Sequence, residues 1–422
     1  MILAIALVLI LILLALGAHV AVTLGLVTAV IVLFVSGVPA TVIAQTAFSS
    51  VNSYPLIAIP MFILAGNLMM RGQIAQMMID LVGSLVRVVR GGLALTVLAA
   101  SVFFAAVSGS SVGSAAAIGR STVSGLRDEE YPARFSAAIV AVGGTLGLMI
   151  PPSLGFILIG SIVGLPIDRL FIAGLLPGVM EAVLLSIATY ALARRGNYGA
   201  KARTPDWSGF FRLLPKTLPA IMMPVLVLGS IYTGWMTPTE VSAFAAAYAA
   251  ILGFFVYRTV DLRAFWTTAR ESLLQTTMIF AVVMGGSLLG FILARMGVSQ
   301  QLVLGLQDAG LTWWQFLIVV NLVMLVMGMF LDGIALIVLT APLLFPMAQA
   351  LGIDPVHFAV IMVANVEIAT LTPPIGLNLF VMSGIARIPV HEVARGVLPF
   401  YAVRLLGLSL ISFIPAISLA LV

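Results

Sequence analysis

Thr372-Pro373-Pro374-Ile375-Gly376-Leu377-Asn378 and its earlier counterpart, Ile150-Pro151-Pro152-Ser153-Leu154-Gly155, lie inside apolar runs long enough to enter a bilayer. Proline lacks an N–H and its ring clashes with the carbonyl one turn back, so two in succession break a helix. In hydrocarbon the freed carbonyls are tolerated only where they face protein, water or an ion. Pro151 and Pro373 stand 222 residues apart. Broken helices at matching positions of two halves are the usual sequence sign of a secondary-transporter binding site. The fold class expected is therefore an all-α polytopic membrane protein made of two inverted repeats, each with one re-entrant hairpin and one broken helix.

Composition agrees with this reading. Of 422 residues, 62% are hydrophobic and 8% charged, with a mean hydropathy of +1.22. Globular domains carry about 25% charged residues, so this chain does not clothe a water-facing surface. The run from Ile2 lacks a basic n-region and a small-residue cleavage site, and reads as a retained span. With no cysteine, disulfides and thiolate metal sites are excluded. The net charge of +5 is the positive-inside bias of membrane loops rather than a nucleic-acid footprint.

The chain divides into four parts. Residues 1–54 read as N-terminal scaffold spans, with a break near Gly17-Ala18-His19 and a polar loop from Thr46 to Tyr54. Residues 55–192 read as the first repeat. It holds a span from Pro55 to Met70 and an amphipathic interfacial helix from Ile74 to Val89. A hairpin follows, with arms near 93–107 and 112–125 joined by Ser108-Gly109-Ser110-Ser111, then a broken span over 134–165 and a span over 168–192. Residues 193–271 form a basic cytoplasmic linker, Arg194 to Lys216, and central scaffold spans near 217–234 and 240–257, followed by a linker with Arg258, Arg263 and Arg270. Residues 272–422 repeat the first unit: a span at 272–294, arms near 313–329 and 334–349, a broken span at 356–385 and a last span from 393. Each hairpin arm is short for a crossing at 1.5 Å per residue, so the hairpins are re-entrant.

The repeat is visible residue by residue. A shift of 222 carries Ser108-Gly109-Ser110 onto Phe330-Leu331-Asp332, and Gly174 and Pro177 onto Gly396 and Pro399. With the Arg194–Lys216 linker in the cytoplasm, only Arg169 and Arg295 of the 20 Lys and Arg fall outside, and Arg404 lies within the last span. That asymmetry satisfies the positive-inside rule and makes the halves inverted, provided the 74–89 helix does not span.

Four irregular points should meet at mid-membrane: two hairpin tips and two breaks. Freed carbonyls and hydroxyls are hard oxygen ligands suited to Na+, and half-helix N-termini suit a carboxylate. The first cluster expected to hold Na+ and substrate comprises Ser108, Gly109, Ser110, Ser111, Gly143, Gly144, Thr145, Ile150, Pro151 and Ser153. The second comprises Phe330, Asp332, Gly333, Asn365, Glu367, Thr370, Thr372, Pro373 and Asn378. Small polar residues in membrane helices ordinarily serve close packing, but packing does not require Ser-Gly-Ser-Ser at a hairpin tip. Acids in apolar runs are costly and by default functional. Asp332 could ligate a cation or cap the following half-helix. Glu367, one turn before the second break, could carry a proton or support Na+. Glu181 reads as an acid that pairs or snorkels. His19, His357 and His391 are scattered, so no metal centre beyond Na+ is visible, and no Walker lysine motif marks ATP use.

A set of motifs resembles one family. These are Pro55-Leu56-Ile57-Ala58-Ile59-Pro60-Met61-Phe62, Ser108-Gly109-Ser110, Ile150-Pro151-Pro152-Ser153, Ala173-Gly174-Leu175-Leu176-Pro177-Gly178, Gly328-Met329-Phe330-Leu331-Asp332 and Thr372-Pro373-Pro374-Ile375-Gly376. In this order they resemble the large membrane (M) subunit of tripartite ATP-independent periplasmic (TRAP) transporters. The resemblance implies a multi-pass protein of the bacterial inner membrane, an elevator-type importer of the ion-transporter superfamily driven by Na+. It also implies two partners, a small four-helix membrane subunit and a periplasmic solute-binding protein, and a carboxylate substrate such as a C4-dicarboxylate or sialic acid. Ser114 stands where many members carry an acid. The alternatives are a self-sufficient Na+- or H+-coupled carboxylate carrier or exchanger, and an intramembrane hydrolase using Ser108 or Ser110. The hydrolase lacks a placed His or Lys base, so no enzyme, no cofactor besides Na+ and no nucleic-acid partner is expected.

Overall fold

A computed structural model describes residues 8–10, 12–13, 16–32, 38–72, 74–199 and 204–422. The described residues form helices and no strand, and eight helical segments are long and apolar enough to cross a membrane.

The predicted elements are present with small changes, but the hairpin arm Gly333–Ala350, expected to be short for a crossing, is one of the eight segments of spanning length. Most of the first N-terminal span falls outside the described residues. Its successor is the helix Val20–Ile31, which follows Gly17 at φ +84°. Thr46–Val51 is not a loop: the helix Ala40–Val51 runs through it. The Ser50 hydroxyl donates to the Ala47 carbonyl at 2.8 Å, so this polar run satisfies itself inside the helix. The basic linker is likewise shorter than expected. Helix Trp207–Tyr232 begins inside it, capped by the Asp206 carboxylate, which accepts from the Gly209 N–H at 2.8 Å. Of the linker's cations, Lys201 and Arg203 lie outside the described residues. Arg263 and Arg270 belong to the 34-residue helix Leu262–Arg295. At about 1.5 Å per residue this helix exceeds the ~30 Å hydrocarbon core. The amphipathic helix spans only Ile74–Val86, 13 residues, too short to cross.

The two repeats build one interlocked core. The first hairpin has arms Gly92–Ser108 and Ser111–Asp128, the second Trp313–Gly328 and Gly333–Ala350. The broken helices are Ala133–Met149 with Leu154–Val163, and Pro355–Ala369 with Leu377–Ala386. In each, the first half packs on its own hairpin while the second half crosses over. Leu154–Val163 lies on the second hairpin's Gly333–Ala350, and Leu377–Ala386 lies on the first hairpin's Ser111–Asp128. Ile167–Arg195 and Val390–Phe413 close the two repeats and pack on one another. Outside this core, Leu262–Arg295 packs against Val20–Ile31, Ala40–Val51 and Ala58–Arg71.

Small residues permit the closest approaches. A Cβ on Gly144 would stand 2.7 Å from that of Ala115, and one on Gly328 would stand 2.3 Å from that of Ala369. Gly143 and Gly144 thus sit in an unbroken helix against the two arms of the first hairpin, and the break begins only after Met149. Their role is close packing.

Candidate functional site

Each hairpin tip is tied to the break beside it by one backbone hydrogen bond. The Leu154 N–H donates to the Gly109 carbonyl at 3.2 Å, and the Ile375 N–H donates to the Met329 carbonyl at 3.2 Å. The repeat therefore acts at the level of single bonds. The first break interrupts a segment of full bilayer length, Ala133–Val163, so the first tip lies at mid-span too. Gly109 has φ +60°, and a Cβ there would meet the Pro152 carbonyl at 2.6 Å. Only glycine fits that contact.

Between both tips and both breaks is a cavity of about 80 Å³, whose walls include Ser110, Ser111, Leu154, Asp332, Gly333, Thr370 and Leu377. At roughly 30 Å³ per water this is room for two or three waters, a carboxylate group or an ion. Four half-helices begin at its walls, those starting at Ser111, Leu154, Gly333 and Leu377. Each N-terminus contributes about half a positive charge. Three carry side-chain caps: Ser110 accepts from the Gly113 N–H at 3.3 Å, Ser153 from Phe156, and Asp332 from Ala335 at 2.8 Å. The fourth, after Gly376 at φ +38°, has no side-chain cap. A larger cavity of about 430 Å³, walled by Leu289, Leu293, Phe316, Val320 and Leu343, is almost wholly apolar, with Gln301 and Thr340 its polar side chains.

The structure redistributes the expected site residues. Ser110, Ser111, Asp332, Gly333 and Thr370 wall the small cavity. Ser108 is buried behind the tip, its hydroxyl 2.6 Å from that of Ser114. Ile150, Pro151 and Ser153 form the buried first break, where the Ser153 hydroxyl donates to the Leu148 carbonyl. Phe330 and Pro373 lie at the second tip and break, both exposed, and Thr372 bonds Ile368 and Tyr401 there. Asn378 belongs with the first cluster rather than the second. Its amide donates to the Ser111 hydroxyl at 2.7 Å and to the Ala141 carbonyl at 2.9 Å, because its half-helix crosses to the other hairpin.

Three expected residues turn elsewhere. Asn365 donates to Asn321 at 2.8 Å on the second hairpin's first arm. Thr145 and Glu367 both meet Arg404, whose guanidinium also pairs with Glu181. In the sequence, Arg404 stands out only as a cation within the last span. An Arg and two Glu inside separate apolar runs was the signal of a pairing, but partners cannot be assigned without the fold.

The comparisons agree with this architecture. The family described as "Tripartite ATP-independent periplasmic transporter, DctM component" matches residues 7–417. The C4-dicarboxylate TRAP transporter large permease protein DctM of Pseudomonas aeruginosa is 38% identical over 401 residues, 94% of this chain and 93% of that protein. The sialic acid TRAP transporter large permease protein SiaM of Vibrio cholerae is 32% identical over 90% of this chain and 88% of its own length. In fold, the chain is similar to the Alcanivorax borkumensis YdaH transporter, with a TM-score of 0.61 at 16% identity, covering 96% of this chain and 97% of that one. Tips, crossed half-helices and family match converge, and the chain belongs to the DctM component family of tripartite ATP-independent periplasmic transporters, as a large permease subunit.

Proposed function

We propose that this permease imports a small organic anion across the bacterial inner membrane in symport with Na+. The observation that carries the reading is the convergence of four half-helix N-termini on one cavity beside a single acid, Asp332. The N-termini attract a carboxylate, and Asp332 with the freed carbonyls and hydroxyls of the tips offers hard oxygens to Na+. Ser110, Ser111, Asp332 and the backbone of both breaks are the residues assigned to ion and substrate. A cavity of about 80 Å³ is well below the ~300 Å³ of ordinary ligand pockets. A whole C4-dicarboxylate or sialic acid therefore enters only when the tips part, which fits an elevator-type movement of the interlocked core against the outer helices.

The relatives named for C4-dicarboxylate and sialic acid support an anionic substrate. A small four-helix membrane subunit and a periplasmic solute-binding protein complete the working assembly. The test is uptake of a labelled dicarboxylate into proteoliposomes holding all three components, with Na+ outside or replaced by K+. Uptake that needs Na+ and both partners is the expected result. Equal uptake in K+ removes Na+ coupling, and uptake by this chain alone identifies a self-sufficient carrier.

A further inference from the structure

The cluster around Arg404 has two carboxylates and one guanidinium. Arg404, Glu181 and Glu367 are all buried, at 1%, 3% and 0% exposure. One guanidinium nitrogen, Nη1, reaches Glu181 at 2.5 Å and Glu367 at 3.2 Å. The other, Nη2, donates to the Thr145 hydroxyl and to the Val142 carbonyl at 3.4 Å. The second oxygen of Glu367, Oε1, is buried and accepts from no donor among the described residues. Among the described residues, no other charged side chain is bonded to any of the three.

With all three groups ionised the cluster would carry an uncompensated negative charge among fully buried side chains. Burying an unpaired charge there costs far more than losing a proton. Two carboxylates gathered on one guanidinium nitrogen bring two negative charges to one positive one, and a single proton on the pair restores the balance. We propose that Glu181 and Glu367 hold one proton between them, permanently, so that the Arg404 cluster is a neutral pin at the meeting of the two repeats.

The position supports that role. Thr145 and Glu367 are 222 residues apart, the same repeat position one turn before each break. Arg404 grips both, and Glu181 and Arg404 come from the two closing helices. A neutral pin lets the core shift relative to the bilayer without carrying a charge of its own. The inference stands whether or not the tip cavity binds Na+.

The test uses the full chain purified from membranes. Glutamine imitates a protonated glutamate, so Glu181→Gln and Glu367→Gln each leave one carboxylate on Arg404 and conserve the cluster's charge. Both single variants are expected to fold and to melt close to the native protein, while the double variant, which strands Arg404, loses several-fold more. Infrared spectra at about pH 8, well above ordinary carboxylate values, should show a protonated carboxyl band that disappears in both single variants. No such band in the native protein, a band that survives in both variants, or single variants as unstable as the double would overturn the proposal. It falls too if the native protein's thermal stabilisation by Na+ over K+ vanishes in both single variants, since Na+ would then be the compensating cation.

Discussion

The two breaks occupy equivalent repeat positions and are bonded to their hairpins in the same way, yet Pro151 and Pro152 are buried while Pro373 and Pro374 are exposed. The tips differ in the same sense: Ser108 is 5% exposed and Phe330 38%. Local geometry follows the repeat, but exposure follows what lies outside it. Ala58–Arg71 covers the first tip, and a Cβ on its Gly66 would stand 3.1 Å from the Ser108 Cα. Leu262–Arg295, from the matching place in the second half, packs on the hairpin arm Gly333–Ala350 instead. One side of the cavity is sealed by packing, and the other is bordered by exposed groups.

The largest expected effect lies at the centre, where the two halves are joined. Arg404→Leu leaves Glu181 and Glu367 without their cation, and should cost about 3–5 kcal/mol, read as a lowered melting temperature and poor accumulation in the membrane. Next comes the contrast between tips. Gly109→Ala places a Cβ against the Pro152 carbonyl at a positive φ, with an expected cost of about 1–3 kcal/mol and a marked loss of uptake. Phe330→Ala at the exposed tip should change stability by less, roughly 0.5 kcal/mol. Equal losses at the two tips would erase the distinction between a sealed and an open side.

Asn378→Ala removes two hydrogen bonds that fasten the second repeat to the first hairpin, at an expected cost of about 1–3 kcal/mol in thermal melting. Asp332 separates capping from ion binding. Asparagine caps as well as aspartate, whereas alanine costs about 1 kcal/mol. Asp332→Asn should therefore keep the native melting temperature and lose Na+-dependent uptake. If uptake is unchanged, the residue serves only as a cap.

The smallest effect lies outside the membrane. The Gly209 N–H, and then the Ser208 hydroxyl, hold the Asp206 carboxylate below its ordinary value. A lowered value means that its capping contribution is complete above the ordinary pKa of 3.8 and is lost as pH falls through the lowered one. Amide hydrogen exchange in the first turn of Trp207–Tyr232 should be indifferent to pH-linked opening near neutrality and rise only in strong acid.

Sequence alone determined much of this molecule. Proline's missing N–H located both breaks to within a few residues, and the 222-residue shift paired tips, breaks and closing helices. These are local properties of the chain, so they are legible in it. Helix ends were less legible where a side-chain cap decided them, as Asp206 and Asp261 did by starting helices inside stretches that looked like linkers. Only the tertiary structure decided that Asn378 serves the first hairpin, that Gly143 and Gly144 pack rather than break, and that Arg404 gathers Glu181, Glu367 and Thr145. Those facts depend on half-helices crossing between repeats. Contacts between residues 223, 259 or 267 positions apart leave no periodicity in the chain, because packing in three dimensions and not spacing brings them together.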